Sequence, residues 1–293
     1  MTAPRATSRR RDARSLAPRS SRSATPRRTG TRTPGRDAGE WWRSHFDAQY
    51  LAEYAPLFSP ERDRREVARL VELLGLPDGA RILDVPCGQG RHAHLLAEAG
   101  YDVQGLDYSR YLLDRARARG TGPRLRYVRG DMRRLPARWS QRFDAVLNLG
   151  TSFGFFLHPA DDAVALREFA RVLRPGGRLL WHGASRDGVM ARFLSRDWWQ
   201  PLDTLVVAQE RAFDSLSGVL TVRTTWSGGG APTERTYRIR LYTATRLAEL
   251  CAAAGLLVEE CYDGWRDRPL HRRATEMLLV ARRTELPTGG SAR

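Results

Sequence analysis

Apolar residues change their spacing several times along this chain, and each change marks an element. Between Trp41 and Phe58 they fall at Trp41-Trp42, Phe46, Tyr50, Tyr54 and Leu57, the period of a helix with one apolar face. Ser59-Pro60-Glu61 then places a capping hydroxyl before a proline, and Val67, Leu70, Val71 and Leu74 make a second amphipathic helix over Arg64 to Leu74. Pro77-Asp78-Gly79 turns the chain into a short apolar run from Arg81, which ends on Asp84 and breaks into Cys87-Gly88-Gln89-Gly90. A helical pattern follows from His92 to Ala99, and a second apolar run, Tyr101 to Leu106, ends on Asp107. Leu125 to Val128, Phe143 to Leu149 and Val172 to Leu180 read as further strands, the last two separated by a helical segment. Alternating strands and helices predict an α/β fold, a parallel sheet with helices on both faces.

After Gly183 the rhythm breaks. A helix around Gly188 to Ser195 precedes three β-like runs, Leu205 to Phe213, Val219 to Trp226 and Thr236 to Tyr242, joined by Ser215-Leu216-Ser217-Gly218 and Ser227-Gly228-Gly229-Gly230. Short loops of this kind join antiparallel strands, so the segment reads as an inserted antiparallel β cap. Thr243 opens a helix to Ala254 that Gly255 closes, and two strands, Leu256 to Tyr262 and Thr275 to Ala281, return to the core. The expected organisation is a disordered Arg-rich tail over 1–38, covering helices over 39–79, a nucleoside-binding core over 80–183, a substrate cap over 184–242, closing elements over 243–283 and a frayed tail over 284–293. No internal repeat is visible.

Charge changes the picture less than its total suggests. The chain carries a formal +16, but residues 1–36 hold eleven Arg against the single acid Asp12, leaving about +6 for the rest. That stretch is too poor in large apolar residues to offset its ordering entropy. Every basic residue is Arg, none Lys, which fits GC-rich coding as well as any selected motif. The tail is read as a solvated segment or an upstream start codon, with a basic nucleic-acid arm as the alternative. It has no apolar signal region, and no stretch of the chain is long and apolar enough to span a membrane. Three cysteines, Cys87, Cys251 and Cys261, form no C-x-x-C pair, so a reducing cytoplasm is expected and a bound metal is not.

Two strands tipped by Asp84 and Asp107, with Gly88 and Gly90 between them, make a nucleoside pocket. The glycine turn brings bare backbone to a small polar ligand, and an acid ending the second strand can accept ribose hydroxyls. A dinucleotide fingerprint wants a third glycine where this chain has Ala93, which the degenerate form permits. Asp84 beside the turn suits a ligand with a cationic end better than a pyrophosphate. On glycine spacing alone, any nucleotide-binding βαβ unit remains open.

The order D-V-P-C-G-Q-G, Asp107, G-D-M at Gly130 to Met132, F-D-A-V-L-N at Phe143 to Asn148, and L-R-P-G-G at Leu173 to Gly177 resembles the class I S-adenosylmethionine-dependent methyltransferases from about Ala80 to Gly183. P-C-G-x-G-R-H, Thr151 to Phe156 and Asp197-Trp198-Trp199 look like a bacterial small-molecule branch of that family. The resemblance implies a Rossmann-like seven-stranded sheet and S-adenosyl-L-methionine as cofactor. It implies Asp84 near the methionyl end, Cys87, Gly88 and Gly90 in the cofactor loop, and Asp107 on the ribose with Tyr108 over the adenine edge. Asp131 would take the adenine amino group and the Met132 backbone a ring nitrogen. Asn148 and Leu149 would offer backbone near the amino-acid end, and Tyr54 (or Tyr50) would bond the cofactor's carboxylate. Asp107 and Asp131 as helix caps, and Met132 as core filler, are the ordinary alternatives.

Methyl transfer needs alignment and exclusion of water, and a general base only if the acceptor must lose a proton. His182, ending the fifth strand, is the candidate base, against a structural role. Phe153, Phe156, Trp198, Trp199, Arg240 and Tyr242 are candidate substrate residues, although aromatic stripes usually pack inward. An aromatic wall favours an apolar or planar small-molecule acceptor, methylated at O or N, over a highly charged one. An RNA or peptide methyltransferase using the basic tail, and a non-catalytic binding protein, are the competing readings.

Overall fold

The computed structural model describes residues 40–284, except 157 and 229. The Arg-rich segment expected over 1–38, and all of the closing segment 284–293 but its first residue, lie outside the described residues.

Seven strands form the main sheet: β1 (Arg81–Asp84), β2 (Asp102–Asp107), β3 (Leu125–Arg129), β4 (Phe143–Asn148), β5 (Leu173–Ala184), and the closing pair β10 (Leu256–Tyr262) and β11 (Glu276–Arg283). Their order is β10-β11-β5-β4-β1-β2-β3, with β3, β2, β1, β4 and β5 parallel and β11 antiparallel to both neighbours. Strand order reverses at β1, so the crevice beyond the carboxyl ends of β1, β2 and β4 is where such a sheet opens for a ligand.

Both faces are covered, which explains why β1 and β4 read as nearly continuous apolar runs. Ile82, Ala145 and Leu147 point to one side, against Val67, Leu70 and Leu74 of α3 (Pro60–Leu74), Ala93 and Leu96 of α4 (Arg91–Glu98), and Leu113 and Ala116 of α5 (Arg110–Arg119). Leu83 and Val146 point to the other, against Leu166 and Phe169 of α6 (Pro159–Val172) and Leu247 and Cys251 of α8 (Ala244–Ala253). Among the described residues, no helix is long and apolar enough to cross a membrane.

The amino-terminal periodicity does not become one helix. It breaks into α1 (Trp42–His45), α2 (Ala48–Glu53) and a 3-10 turn, Ala55–Leu57. Asp47 is extended, and its carboxylate accepts the N–H groups of Gln49 and Tyr50 at 3.0 and 3.2 Å, capping α2. Arg235 grips the same carboxylate at 2.7 and 3.0 Å, and Pro56 prevents the helix from continuing. Apolar spacing cannot register a cap in the middle of its own pattern.

Between β5 and α8 lie α7 (Arg186–Ala191) and a separate four-stranded antiparallel sheet, β6 (Arg196–Leu202), β7 (Leu205–Asp214), β8 (Val219–Ser227) and β9 (Thr233–Arg240). The fold expected from the sequence is therefore present, with one strand more than the three runs predicted. That strand, β6, is an edge strand holding Asp197-Trp198-Trp199, and its charges and Pro201 hide it from any apolar pattern.

A buried network ties the small sheet to the core. Arg240, at the end of β9, donates to Asp162 of α6 at 2.8 Å and to the Phe156 carbonyl at 3.2 Å. The Tyr242 hydroxyl donates to the same Asp162 oxygen at 2.6 Å, and the Arg240 N–H to the Gly154 carbonyl at 2.7 Å. Arg240 and Tyr242, expected to face substrate, are instead buried inward and hold the loop after β4. A buried cation finds little stabilisation unless paired, and this one is. Asp162→Ala should therefore cost about 3–5 kcal/mol in urea unfolding, against about 1 kcal/mol for Tyr242→Phe, which removes one hydrogen bond.

Candidate functional site

The site is assembled where β1, β2 and β4 end. Gly88 and Gly90 both adopt left-handed backbone, φ +55° and +76°. At Gly90 a Cβ would also run into the Tyr127 hydroxyl and crowd Ala116, so any other residue capping α4 there would be strained. Cys87 is buried against Gly105, and burial pushes its thiol up, away from the reactive thiolate.

Asp107 sets the shape of this loop. One carboxylate oxygen accepts the Gly88 N–H at 2.8 Å, the other the Ser109 N–H at 2.7 Å. The side chain is buried, and burial holds its carboxyl up at about 6 against these bonds. A carboxylate offers about four lone-pair positions, so about two remain for a ligand's hydroxyls. Asp84 lies deeper. It is 1% exposed, one of its oxygens has no hydrogen-bond partner among the described residues, and burial raises its carboxyl to about 8.

Asp107, Tyr108, Gly88, Asp131 and Met132 line a single cavity. Asp131 reaches it already bound to Arg133, at 2.7 Å, whose guanidinium also meets Glu40 at 2.9 Å and Asp161 at 3.1 Å and stacks 4.4 Å over Phe156. Asn148 is wholly buried and donates to the Val85 carbonyl at 2.7 Å, tying the β4 end to the glycine loop. Leu149 lines an adjoining recess with Gly88, Arg91 and Tyr50.

Trp42, Phe46 and Tyr50 roof the cavity. Arg43 donates to the Tyr108 hydroxyl at 2.6 Å, and Ser109 donates to the Phe46 carbonyl at 2.6 Å, which fixes the roof to β2. Tyr54 stands apart from this cavity; Tyr50, four residues earlier on α2, lines it, and both tyrosines line the larger cavity beside it.

A second cavity of about 320 Å³ adjoins the first and shares Phe46, Tyr50 and Phe155 with it. His182 lines it, 3.6 Å from Glu276 and stacked at 4.7 Å on Trp265, with neither ring nitrogen hydrogen-bonded among the described residues. The neighbouring His182 holds the Glu276 carboxyl below its usual range. His92, by contrast, is locked to Glu66 at 2.7 Å and is structural.

Four substrate candidates depart from expectation besides Tyr54's displacement. Phe153 is 2% exposed and packs on Trp181 and Tyr242 in the core, so it walls no cavity. Trp198 is 67% exposed because the edge strand turns it outward, and Arg240 and Tyr242 are the buried pair described above. Phe156 does line the first cavity, and Trp199 lines a third, beside the small sheet. Sequence reasoning missed Arg133, Arg43 and Glu276, whose roles come from long-range pairing that no local pattern carries.

Residues 82–177 match the family model described as a methyltransferase domain. Over 112 residues the chain is 38% identical to glycine/sarcosine N-methyltransferase of Halorhodospira halochloris, covering 38% of this chain and 42% of that protein, so the match spans less than half of this curated relative. Among solved structures, the CcbJ methyltransferase from Streptomyces caelestis superposes with a TM-score of 0.68 at 22% identity, covering 80% of this chain and 96% of that one. CalS10, an amino pentose methyltransferase from Micromonospora echinaspora solved with S-adenosylmethionine bound, gives 0.63 at 25% identity over 82% and 98%.

The residues present fit that cofactor. Asp107 keeps lone pairs free for a diol, the orphaned Asp84 oxygen awaits a donor or cation, and Arg91 brings positive charge to the recess at the glycine loop. Asp107→Ala should weaken S-adenosylhomocysteine binding about 10- to 100-fold in calorimetry, the loss of two hydrogen bonds to a charged acceptor. Since the Asp107 carboxyl sits at about 6, wild-type affinity should fall as pH drops through that value, a fall missing from Asp107→Ala.

Proposed function

With residues 82–177 a methyltransferase domain on an S-adenosylmethionine-binding fold, we propose that the protein moves a methyl group onto O or N of a small metabolite. The observation that carries this reading is the sharing of Phe46, Tyr50 and Phe155 by the Asp107 cavity and the His182 cavity, which sets a nucleoside pocket and an acceptor pocket side by side.

S-Adenosylmethionine supplies an electrophilic methyl on a sulfonium. Asp84, Gly88, Asp107, Tyr108, Asp131 and the Met132 backbone would hold it, with Tyr50 and Arg91 at its amino-acid end. Trp41, Phe46 and Phe155 enclose the acceptor and keep water out, so the protein's main contribution is alignment. His182 takes the proton that the acceptor's O or N must lose, and Glu276, 3.6 Å away, steadies the imidazolium that results. Segment 39–79 then serves as cover, 80–183 as cofactor core, 184–242 as acceptor cap and 243–283 as closure. A metabolite of secondary metabolism, methylated in the reducing cytoplasm where the three thiols stay free, fits this arrangement; CalS10, described as acting in calicheamicin biosynthesis, supports it.

Purified protein incubated with S-adenosylmethionine and candidate metabolites should release S-adenosylhomocysteine; cofactor binding with no release from any acceptor tried would favour a non-catalytic binding protein, and absence of cofactor binding would defeat the proposal outright. His182→Ala, assayed at saturating cofactor, should lose about 10²- to 10⁴-fold in kcat with cofactor affinity unchanged. Wild-type turnover in that variant would remove His182 as the base. A chain begun at Gly39 should keep its activity, and a large loss would revive the basic-arm reading.

A further inference from the structure

Glu53 closes α2, is 2% exposed, and has no hydrogen-bond partner on either carboxylate oxygen among the described residues. Nothing proposed above uses it. It lines the third cavity, about 460 Å³, which shares Tyr54, Leu57, Val189, Leu220 and Tyr237 with the His182 cavity. A desolvated carboxylate without a partner is costly, several kcal/mol if ionised, and such groups persist where a ligand completes them.

The Tyr54 hydroxyl and the Trp226 indole lie close enough to pull its carboxyl down without completing a hydrogen bond, and two of the charged groups around it are already committed. Arg235, from β9, is held by Asp47 at 2.7 Å. Arg211, from β7, binds the Gln209 side chain at 2.7 Å and lies 3.5 Å from Asp197. Arg192 lines the cavity but is itself exposed. His45, in the adjoining cavity, is kept neutral by burial, its imidazole down at about 4. Tyr54 and Tyr237 put aromatic rings on the shared wall, surfaces that attract organic cations.

We propose that Glu53 is the anchor for a cationic amine on the acceptor: the second and third cavities form one site, with the reacting atom beside His182 and a distal ammonium drawn to Glu53 past the rings of Tyr54 and Tyr237. The carboxylate sits within the wall, so it meets the cation after a rotation of its own side chain. This rests on the methyltransferase reading and narrows it to amine-bearing acceptors. Burial agrees with it, since it lifts the Glu53 carboxyl to about 7, the cost that a bound cation would relieve.

The test uses the full chain, with benzyltrimethylammonium as a permanently charged probe and benzyl alcohol as its neutral counterpart, titrated with and without S-adenosylhomocysteine. Wild type should bind the cation about tenfold more tightly at pH 8 than Glu53→Gln does, a difference of about 1.4 kcal/mol. Benzyl alcohol should bind both alike. Wild-type affinity for the cation should rise as pH passes about 7, a rise lost in Glu53→Gln and kept in His182→Gln. Equal binding of the cation by wild type and Glu53→Gln, or no binding by either, overturns the proposal. Failure of S-adenosylhomocysteine alone, with cation binding intact, overturns the methyltransferase reading and leaves the anchor standing.

Stability supplies a second readout. The folded carboxyl lies above its usual 4.5, so its contribution is complete below 4.5 and lost as pH rises through about 7. Glu53→Gln should thus raise Tm at pH 8. A lower Tm would mark Glu53 as a structural residue and sink the anchor.

Discussion

One buried carboxylate organises the crevice. Asp107 ends β2 and accepts backbone N–H groups from both sides, from Gly88 in the loop after β1 and from Ser109 ahead of α5. Two parallel strands that share no covalent turn are thereby locked at their carboxyl ends. The left-handed glycines are tolerable because this clamp holds the loop in place, and Ser109, once oriented, binds the carbonyl of Phe46 and draws the aromatic roof down. Loop, roof and pocket all follow from that one desolvated acid.

Around it, arginine does the long-range joining. Arg235 holds Asp47 and so decides where α1 stops and α2 starts; Arg133 gathers Asp131, Asp161 and Glu40 over Phe156; Arg240 enters the core to meet Asp162. A planar guanidinium can serve several carboxylates and stack on a ring at once, which a lysine ammonium cannot. A chain with no lysine at all thus gains its inter-element joints from Arg, whatever the origin of the bias.

Three titratable groups with buried, unpartnered atoms share one region. Asp84, Glu53 and His182 each line or lie beside the connected cavities, while comparable acids elsewhere, such as Glu66 and Asp162, are bonded on at least one oxygen. Folding satisfies its buried polar groups almost everywhere. At Asp84, Glu53 and His182 a ligand can complete the set, a trade of stability for function, while others such as the Tyr127 hydroxyl and the Trp181 indole lie in the packed core.

The strand-and-helix order, the two acid-tipped strands and the glycine turn could be read directly from the residues, because each depends on neighbours a few positions away. Periods of two and 3.6, a cap or a left-handed glycine are local physics, and parallel strands buried on both faces leave long apolar runs. The break at Asp47, the edge strand around Trp198, and the inward fate of Phe153, Arg240 and Tyr242 could not be so read. The edge strand is set by its pairing with β7 in the next hairpin, and the others by partners dozens to nearly two hundred residues away, in packing that exists only after the sheet has closed. Residue type set which chemistry was available; the tertiary structure chose which carboxylates and aromatics would face a cavity and which would vanish into the core, because burial is a property of the assembled layers and not of the chain.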